Sequence, residues 1–404
     1  MSLVDVNPGL PRGPIGSVEA STIPEARDSV AVGSVGDADD LSRNVYCILG
    51  MPIDAIDMAT VRRRIEAAAA ARAPFLISTP NLNFLVNTRS DPKFRESLLD
   101  SDLCPADGMP IVWIARLLGL PIKQRVSGSD IFDALNSRRG LMPRLKVFLF
   151  GGAAGVAAMA AKTLNDRSAG LRCVGSFDPG FGTVEEMSRH EVLAAVNASE
   201  ADFLAVSLGA TKGQQWLHRN HGCLTIPVRA HLGAAINFQA GTIKRAPPSV
   251  RALGLEWLWR IKEEPHLWRR YWRDGWVLLR LLVTRILPLA IAMRRCRQSW
   301  RQHDLQIKTA HNPETLVLRV CGDATEPHIR DAIPPFREAL IARKKSIVVD
   351  LSETRSLDQR FLGFLLMFRK TLKQQNVGLK FVGGSRRVDR IFRLNDLCFL
   401  LAGC

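Results

Sequence analysis

Along most of the chain, short apolar runs alternate with stretches of helical spacing. Residues 45–49, 75–78, 145–150, 173–177, 203–208 and 226–230 read as strands, most of them closed by a polar or glycine-containing turn. Residues 57–72, 91–101 and 111–118 read as helices. Strands that alternate with helices predict an α/β fold with a mostly parallel sheet covered on both faces. After residue 313 the pattern restarts, with strands at 316–320, 346–351 and 379–383 and helices at 326–343, 361–372 and 387–394, so residues 313–404 form a separate small α/β unit. Residues 1–43 are rich in Gly, Pro, Ser, Ala and Asp without periodicity and predict a disordered tail with no catalytic residues.

Composition narrows the class. With 404 residues, 47% of them hydrophobic, the chain has room for two or three cored domains. The net charge of +16 implies an anionic partner: phosphate ligands, nucleic acid or an acidic membrane. The eight cysteines form no CxxC pair and no metal-like spacing with the eight histidines, which predicts reduced, mostly buried thiols. Residues 1–43 carry no basic start followed by an apolar run, so no N-terminal signal is expected.

Candidate chemistry gathers where strands end. Thr79-Pro80-Asn81 stops the 75–78 run, because proline cannot donate to a ladder. Asp107 follows Leu103-Cys104-Pro105 and precedes Gly108 and an apolar helix. Two such corners can face one crevice, the usual ligand site of an open α/β sheet, and a carboxylate there is a candidate general base; a turn aspartate capping the next helix is the plainer reading. Gly151-Gly152-Ala153-Ala154-Gly155 follows a strand and opens a helix, which suits a phosphate and equally suits a tight packing turn. The spacing lacks the full dinucleotide pattern and its ribose-binding acid, which argues against a nicotinamide-dependent oxidoreductase. Lys212, Gln214 and Gln215 enter a helix after Gly209, as phosphate or sugar contacts or as a solvated helix start. The basic turn Lys244-Arg245 suits a diphosphate.

In order, these blocks resemble a known family. They are Thr79-x-Asn81, Ala106-Asp107-Gly108, Arg125-Val126-Ser127-Gly128-Ser129-Asp130, Phe150-Gly151-Gly152 and Ser207-Leu208-Gly209-Ala210, then Ala240-Gly241-Thr242 through Arg245-Ala246-Pro247 to Gly254-Leu255-Glu256-Trp257. Together, over residues 44–272, they resemble the WecG/TagA/CpsF glycosyltransferases. The resemblance implies a Rossmann-like core at 44–243. It also implies inverting transfer of an N-acetylmannosamine or related sugar from a UDP donor to a polyprenyl-diphosphate-linked sugar, with no obligatory metal or other cofactor. Asp107 matches the family's proposed base, with Thr79 and Asn81 beside it. Arg125 and Asp130 match motif positions that an interdomain salt bridge explains equally well. Gly151, Gly152, Lys212 and Gln214 are candidate substrate contacts, and Arg245, Arg251 and Arg260 are candidates for the diphosphate. One departure stands out: where the family has Pro-Lys-Gln-Glu, this chain has Thr211-Lys212-Gly213-Gln214. Glycine replaces a glutamine thought to act in the site, so either Gln214 or Gln215 takes over through a shifted helix start, or the acceptor differs.

Residues 244–301 form a basic appendage with fourteen Lys or Arg against four acids. Trp268, Trp272 and Trp276 recur every fourth residue among arginines, as in a headgroup layer. Residues 275–293 are apolar except for Arg280, Thr284 and Arg285, with Pro288 interrupting. A mid-bilayer arginine costs about 2.5–3.5 kcal/mol, so a helix lying on the cytoplasmic face of the inner membrane is expected, with a helix packed against the domains as the alternative. The stretch is more apolar than nucleic-acid binding needs. Finally, Val349-Asp350-Leu351-Ser352, Leu357-Asp358, Gly363 and Lys380-Phe381-Val382-Gly383 resemble a STAS domain over 313–402. At Asp358-Gln359-Arg360 the phosphorylatable hydroxyl of such domains is missing, which points to a protein-docking or structural role. The expected whole is a peripheral UDP-sugar transferase of cell-surface polysaccharide synthesis. Its rival is a catalytically decayed membrane adaptor acting through the STAS-like unit.

Overall fold

The computed structural model describes residues 39–138, 143–297 and 304–401, all within one compact unit. Strands β1 (Val45–Ile48) and β2 (Met51–Asp54) form an antiparallel hairpin. Strands β3 (Phe75–Ile77), β4 (Leu145–Gly151), β5 (Leu171–Phe177), β6 (Phe203–Ser207) and β7 (Val228–His231) form a wholly parallel sheet in the order β3-β7-β6-β4-β5. On β6, Phe203 and Ala205 join one apolar cluster with the helices Met58–Ala71 and Val156–Arg167, while Leu204 and Val206 join another with the helix Ala210–Asn220. Alternate residues of a strand point to opposite faces, so a fully apolar strand needs helices on both sides.

Two expectations are corrected here. The 45–49 run is not a strand of the parallel sheet. It pairs with β2 through a two-residue turn in which Leu49 and Gly50 both have positive φ, 49° and 86°. All four β1 residues are buried: Val45 and Cys47 belong to the C-terminal unit's core, Tyr46 and Ile48 to a cluster beneath the appendage. A run apolar on both faces reads as a central strand, and its second face is covered by a distant part of the chain. The tail expected over 1–43 lies outside the described residues up to 38, but residues 39–43 are ordered. Asp40–Ser42 is a short 3-10 turn, and Arg43 is buried, bonding Asp40 and Asp54 at 2.8 Å each and the Ser101 carbonyl at 3.0 Å.

The C-terminal unit has strands β8 (Gln306–His311), β9 (Thr315–Ala324), β10 (Ser346–Asp350), β11 (Thr354–Leu357) and β12 (Gly378–Val382). Its sheet order is β11-β9-β10-β12, and β8 lies antiparallel to β9, so the unit starts before residue 313. The helix Gln359–Gln374 is buried at twelve of sixteen residues because it is held between this sheet and the β1 hairpin. The appendage forms the helix Trp268–Leu281, a π-helical turn at Leu282–Ile286 and the helix Leu287–Arg297; its residues 298–301 lie outside the described residues. Pro288 lacks the N–H of a regular ladder, and its ring crowds the carbonyl one turn back, at Thr284, inside the π turn.

Candidate active site

At the carboxyl ends of β3, β7, β6 and β4 lies a cavity of about 730 Å³. Thr79, Asn81, Asp107, Arg125 and Gly152 line it from the core, with Ser207 and His231 at strand ends. Glu256, Arg260, Glu264, Arg270 and Asp274 line it from the appendage, which roofs the site.

Backbone pairing puts Asp107 there. The 103–105 run forms bridges to Ile77 and Asp54, the Asp107 N–H donates to the Pro80 carbonyl at 2.9 Å, and the Val126 N–H to the Ala106 carbonyl at 2.8 Å. Gly108, with φ of 91°, then turns the chain into the helix Met109–Leu117. Asp107 does not cap that helix: the cap is Gly108, with no side-chain bond. Surrounding protein raises the Asp107 carboxyl to about 7; burial is the main cause, Arg125 pulls the other way, Asp130 and Glu256 add to the rise, and a bond from Asn81 favours the ion. The Asn81 Oδ1 accepts the Phe84 N–H at 3.2 Å as cap of the helix Leu82–Ser90, which leaves its amide hydrogens free for a carboxylate.

The arginines divide into two groups. Arg125 bonds Glu256 of the appendage and Asp130, the latter at 2.9 Å, and so ties roof to core. Asp130 is part of a capping box with Ser127 and lies outside the cavity lining. Arg245 pairs with Asp130 and Asp133, and Arg251 lies 3.6 Å from Asp130, so both of these expected diphosphate contacts serve that ion network outside the lining instead. Arg260 does line the cavity, paired with Glu264. Arg270, which sequence reasoning missed, lines it too; among the described residues no carboxylate pairs with it, its buried Nε has no partner, and its guanidinium lies over the Tyr271 ring at 4.9 Å. Its only sequence signal was its place in the basic run.

Of the remaining candidates, one lines the cavity and the others lie outside its lining. A side chain at Gly151 would run into the Ser207 carbonyl, and only Gly152 of the pair reaches the cavity. The Lys212 Nζ donates to the Gly182 carbonyl at 2.6 Å. Gln214 is buried, its Nε2 donating to the Ser78 Oγ at 2.6 Å and to the Ser97 carbonyl at 3.2 Å, and Gln215 bonds Asp91 at 3.1 Å. Neither glutamine faces the cavity, so no shifted helix start replaces the missing one. Gly213 instead makes room for the His231 ring.

The appendage helix Pro265–Arg294 is, by length and composition, long and apolar enough to cross a membrane. One face is buried through Leu281, Ile286, Leu289 and Met293, and Arg285 pairs with Asp396 of the C-terminal unit at 3.5 Å. The opposite face exposes Trp268, Trp272, Trp276, Leu279, Val283, Leu287 and Ile291.

Comparison with known proteins agrees with this architecture. Residues 46–290 match the model of the glycosyl transferase WecG/TagA/CpsF family, and residues 307–401 match a Mlab-type STAS domain. The chain is 27% identical over 194 residues, 48% of its own length and 73% of the relative's, to an N-acetylglucosaminyldiphosphoundecaprenol N-acetyl-beta-D-mannosaminyltransferase of Bacillus spizizenii. The anti-sigma factor antagonist SpoIIAA in its unphosphorylated form aligns at 16% identity over 24% of this chain and 85% of its own, and the phosphorylated form at 17% over 24% and 88%. Their TM-scores are 0.22 and 0.21. The chain belongs to the WecG/TagA/CpsF glycosyl transferase family and is a glycosyltransferase joined to a C-terminal STAS domain.

Proposed function

We propose that this enzyme moves an N-acetylmannosamine-type sugar from a UDP donor to a sugar on a polyprenyl diphosphate, with inversion, in cell-surface polysaccharide synthesis. The observation that carries the reading is Asp107, a carboxyl near 7 that faces a roofed cavity beside Asn81 and Thr79. A sugar hydroxyl is a poor nucleophile near neutral pH. As its oxygen attacks the anomeric carbon, Asp107 takes its proton and the bond from that carbon to the UDP oxygen breaks. UDP leaves with the bonding electron pair. Arg260, Arg270 and the uncapped N-terminus of the helix Ala210–Asn220 offer counter-charge to the departing diphosphate, so the reaction is proposed to need no metal. The relative from Bacillus spizizenii is named for a diphosphoundecaprenol acceptor, which supports this acceptor class.

The exposed tryptophan and leucine stripe, with its arginines, is proposed to lie in the headgroup layer on the cytoplasmic face of the inner membrane, next to a lipid-borne acceptor. UDP release by the detergent-solubilised protein, given UDP-N-acetylmannosamine and a polyprenyl-diphosphate-N-acetylglucosamine acceptor with chelator present, tests the reading. Acceptor-dependent release that Asp107→Asn abolishes is expected. A protein that neither binds UDP nor releases it would be the adaptor instead.

A further inference from the structure

Gly213 and His231 act as a pair. His231 ends β7, is 4% exposed and lines the cavity. A Cβ at Gly213 would collide with His231 Cδ2 and sit 2.9 Å from Nε2, so glycine on the Ala210–Asn220 helix is what allows the imidazole to occupy this place. The Nε2 lies 2.7 Å from the Leu208 carbonyl, an acceptor only, which fixes the proton on Nε2. Nδ1 is the ring vertex opposite the Cδ2–Nε2 edge that meets Gly213, so it turns away from that helix, and among the described residues nothing bonds it. Burial lowers the imidazole's pKa, which keeps the ring neutral and its Nδ1 lone pair available.

Building on the transferase reading above, we propose that His231 Nδ1 accepts a hydrogen bond from a hydroxyl or amide N–H of a substrate sugar in the cavity. The imidazole then selects for a sugar with a donor group at that position, on either the UDP-sugar or the lipid-linked acceptor. It contacts substrate without taking the proton in the reaction, because Nε2 already carries one and burial disfavours a second.

The test compares the full-length wild type with His231→Phe, which fills the same space without a nitrogen, and with Gly213→Ala, which pushes the ring from its place. Melting temperature checks that each is folded. KM is measured for donor and acceptor separately, and calorimetry measures UDP and UDP-sugar binding. In His231→Phe, loss of one substrate hydrogen bond raises KM roughly tenfold for the substrate that donates it, while UDP alone binds as in the wild type. A rise for the donor alone assigns the contact to the UDP-sugar, and a rise for the acceptor alone assigns it to the lipid-linked sugar. Wild-type KM values for both substrates in a folded His231→Phe overturn the inference and leave the transferase standing. A wild type that neither binds nor turns over UDP-sugar overturns the transferase reading and this inference with it.

Discussion

Asp107 shows how far one residue's environment departs from its type. A carboxyl in the unfolded chain titrates at about 4, whereas burial holds this one at about 7. Between those values the folded protein keeps a proton that the unfolded chain has released, so Asp107 lowers stability progressively as pH rises through that window. Asp107→Asn is therefore expected to raise the melting temperature at pH 8, on the order of 2 °C, and to change it little at pH 4. The same substitution should cut kcat/KM by about 100-fold or more at pH 8. In the wild type, kcat/KM should fall below an apparent pKa near 7, as the base becomes protonated, and a profile flat from pH 5 to 8 would remove Asp107 from the role. The strand, turn and glycine around Asp107 were visible in the sequence. The convergence of Arg245 and Arg251 on Asp130 was not, because those two arginines lie more than a hundred positions from it along the chain.

Among the elements, the appendage helix has two faces with different tasks. Its buried side joins the cluster of the Leu82–Ser90 and Met109–Leu117 helices and roofs the cavity. Its open side is a ladder of Trp, Leu, Val and Ile at spacings of three and four, which no described residue covers. Replacing Trp268, Trp272 and Trp276 together with alanine is expected to weaken binding to vesicles of anionic lipid by at least tenfold while soluble UDP binding persists. Sedimentation with such vesicles checks this, and equal co-sedimentation of the variant would mean the stripe meets something else. The repeat of tryptophan at every fourth residue was legible from the sequence. Which arginines turn inward was not: Arg270 lines the cavity while Arg285 reaches the STAS domain, and helical spacing alone sets no rotation of the helix about its axis.

At the scale of the whole molecule, the STAS domain is packed into the enzyme. Its Gln359–Gln374 helix lies on β1, where the Arg360 guanidinium donates to the Val45 carbonyl at 3.2 Å and a side chain on Gly363 would strike that same carbonyl. Lys370 is fully buried and bonds Asp102 at 2.6 Å and Asp40 at 3.1 Å, while Arg369 and Lys373 pair with Glu96 and the Tyr46 hydroxyl donates to Glu326. Asp102 in turn accepts the Leu76 N–H at 2.8 Å, so these bonds brace the segment that leads to Asp107. Lys370→Met takes the buried cation from Asp102 and leaves Asp40 with Arg43 alone, and is expected to cost about 3 kcal/mol, read from urea unfolding. Gly363→Ala should also destabilise the protein, because backbone on both sides must move, and both losses should lower transferase activity through the fraction folded. If Gly363→Ala melted like the wild type, the two parts would not be docked in this way. The missing phosphorylatable hydroxyl at Arg360 thus has a structural counterpart: the residue there is an anchor to the catalytic core.

By itself the sequence determined the alternation of strands and helices, the family blocks, the polar residues at strand ends, the basic tryptophan-bearing appendage and the separate C-terminal pattern. These are properties of neighbouring residues, set by period, turn chemistry and charge. Only the tertiary structure decided that β1 is shared by two cores, that Arg245 and Arg251 hold Asp130 while Arg270 lines the cavity with no carboxylate partner among the described residues, and that Gly213 gives its space to His231. Each of these depends on which distant groups fill the same volume or cancel the same charge, and close packing and buried charge are settled by partners in space, whatever their separation along the chain.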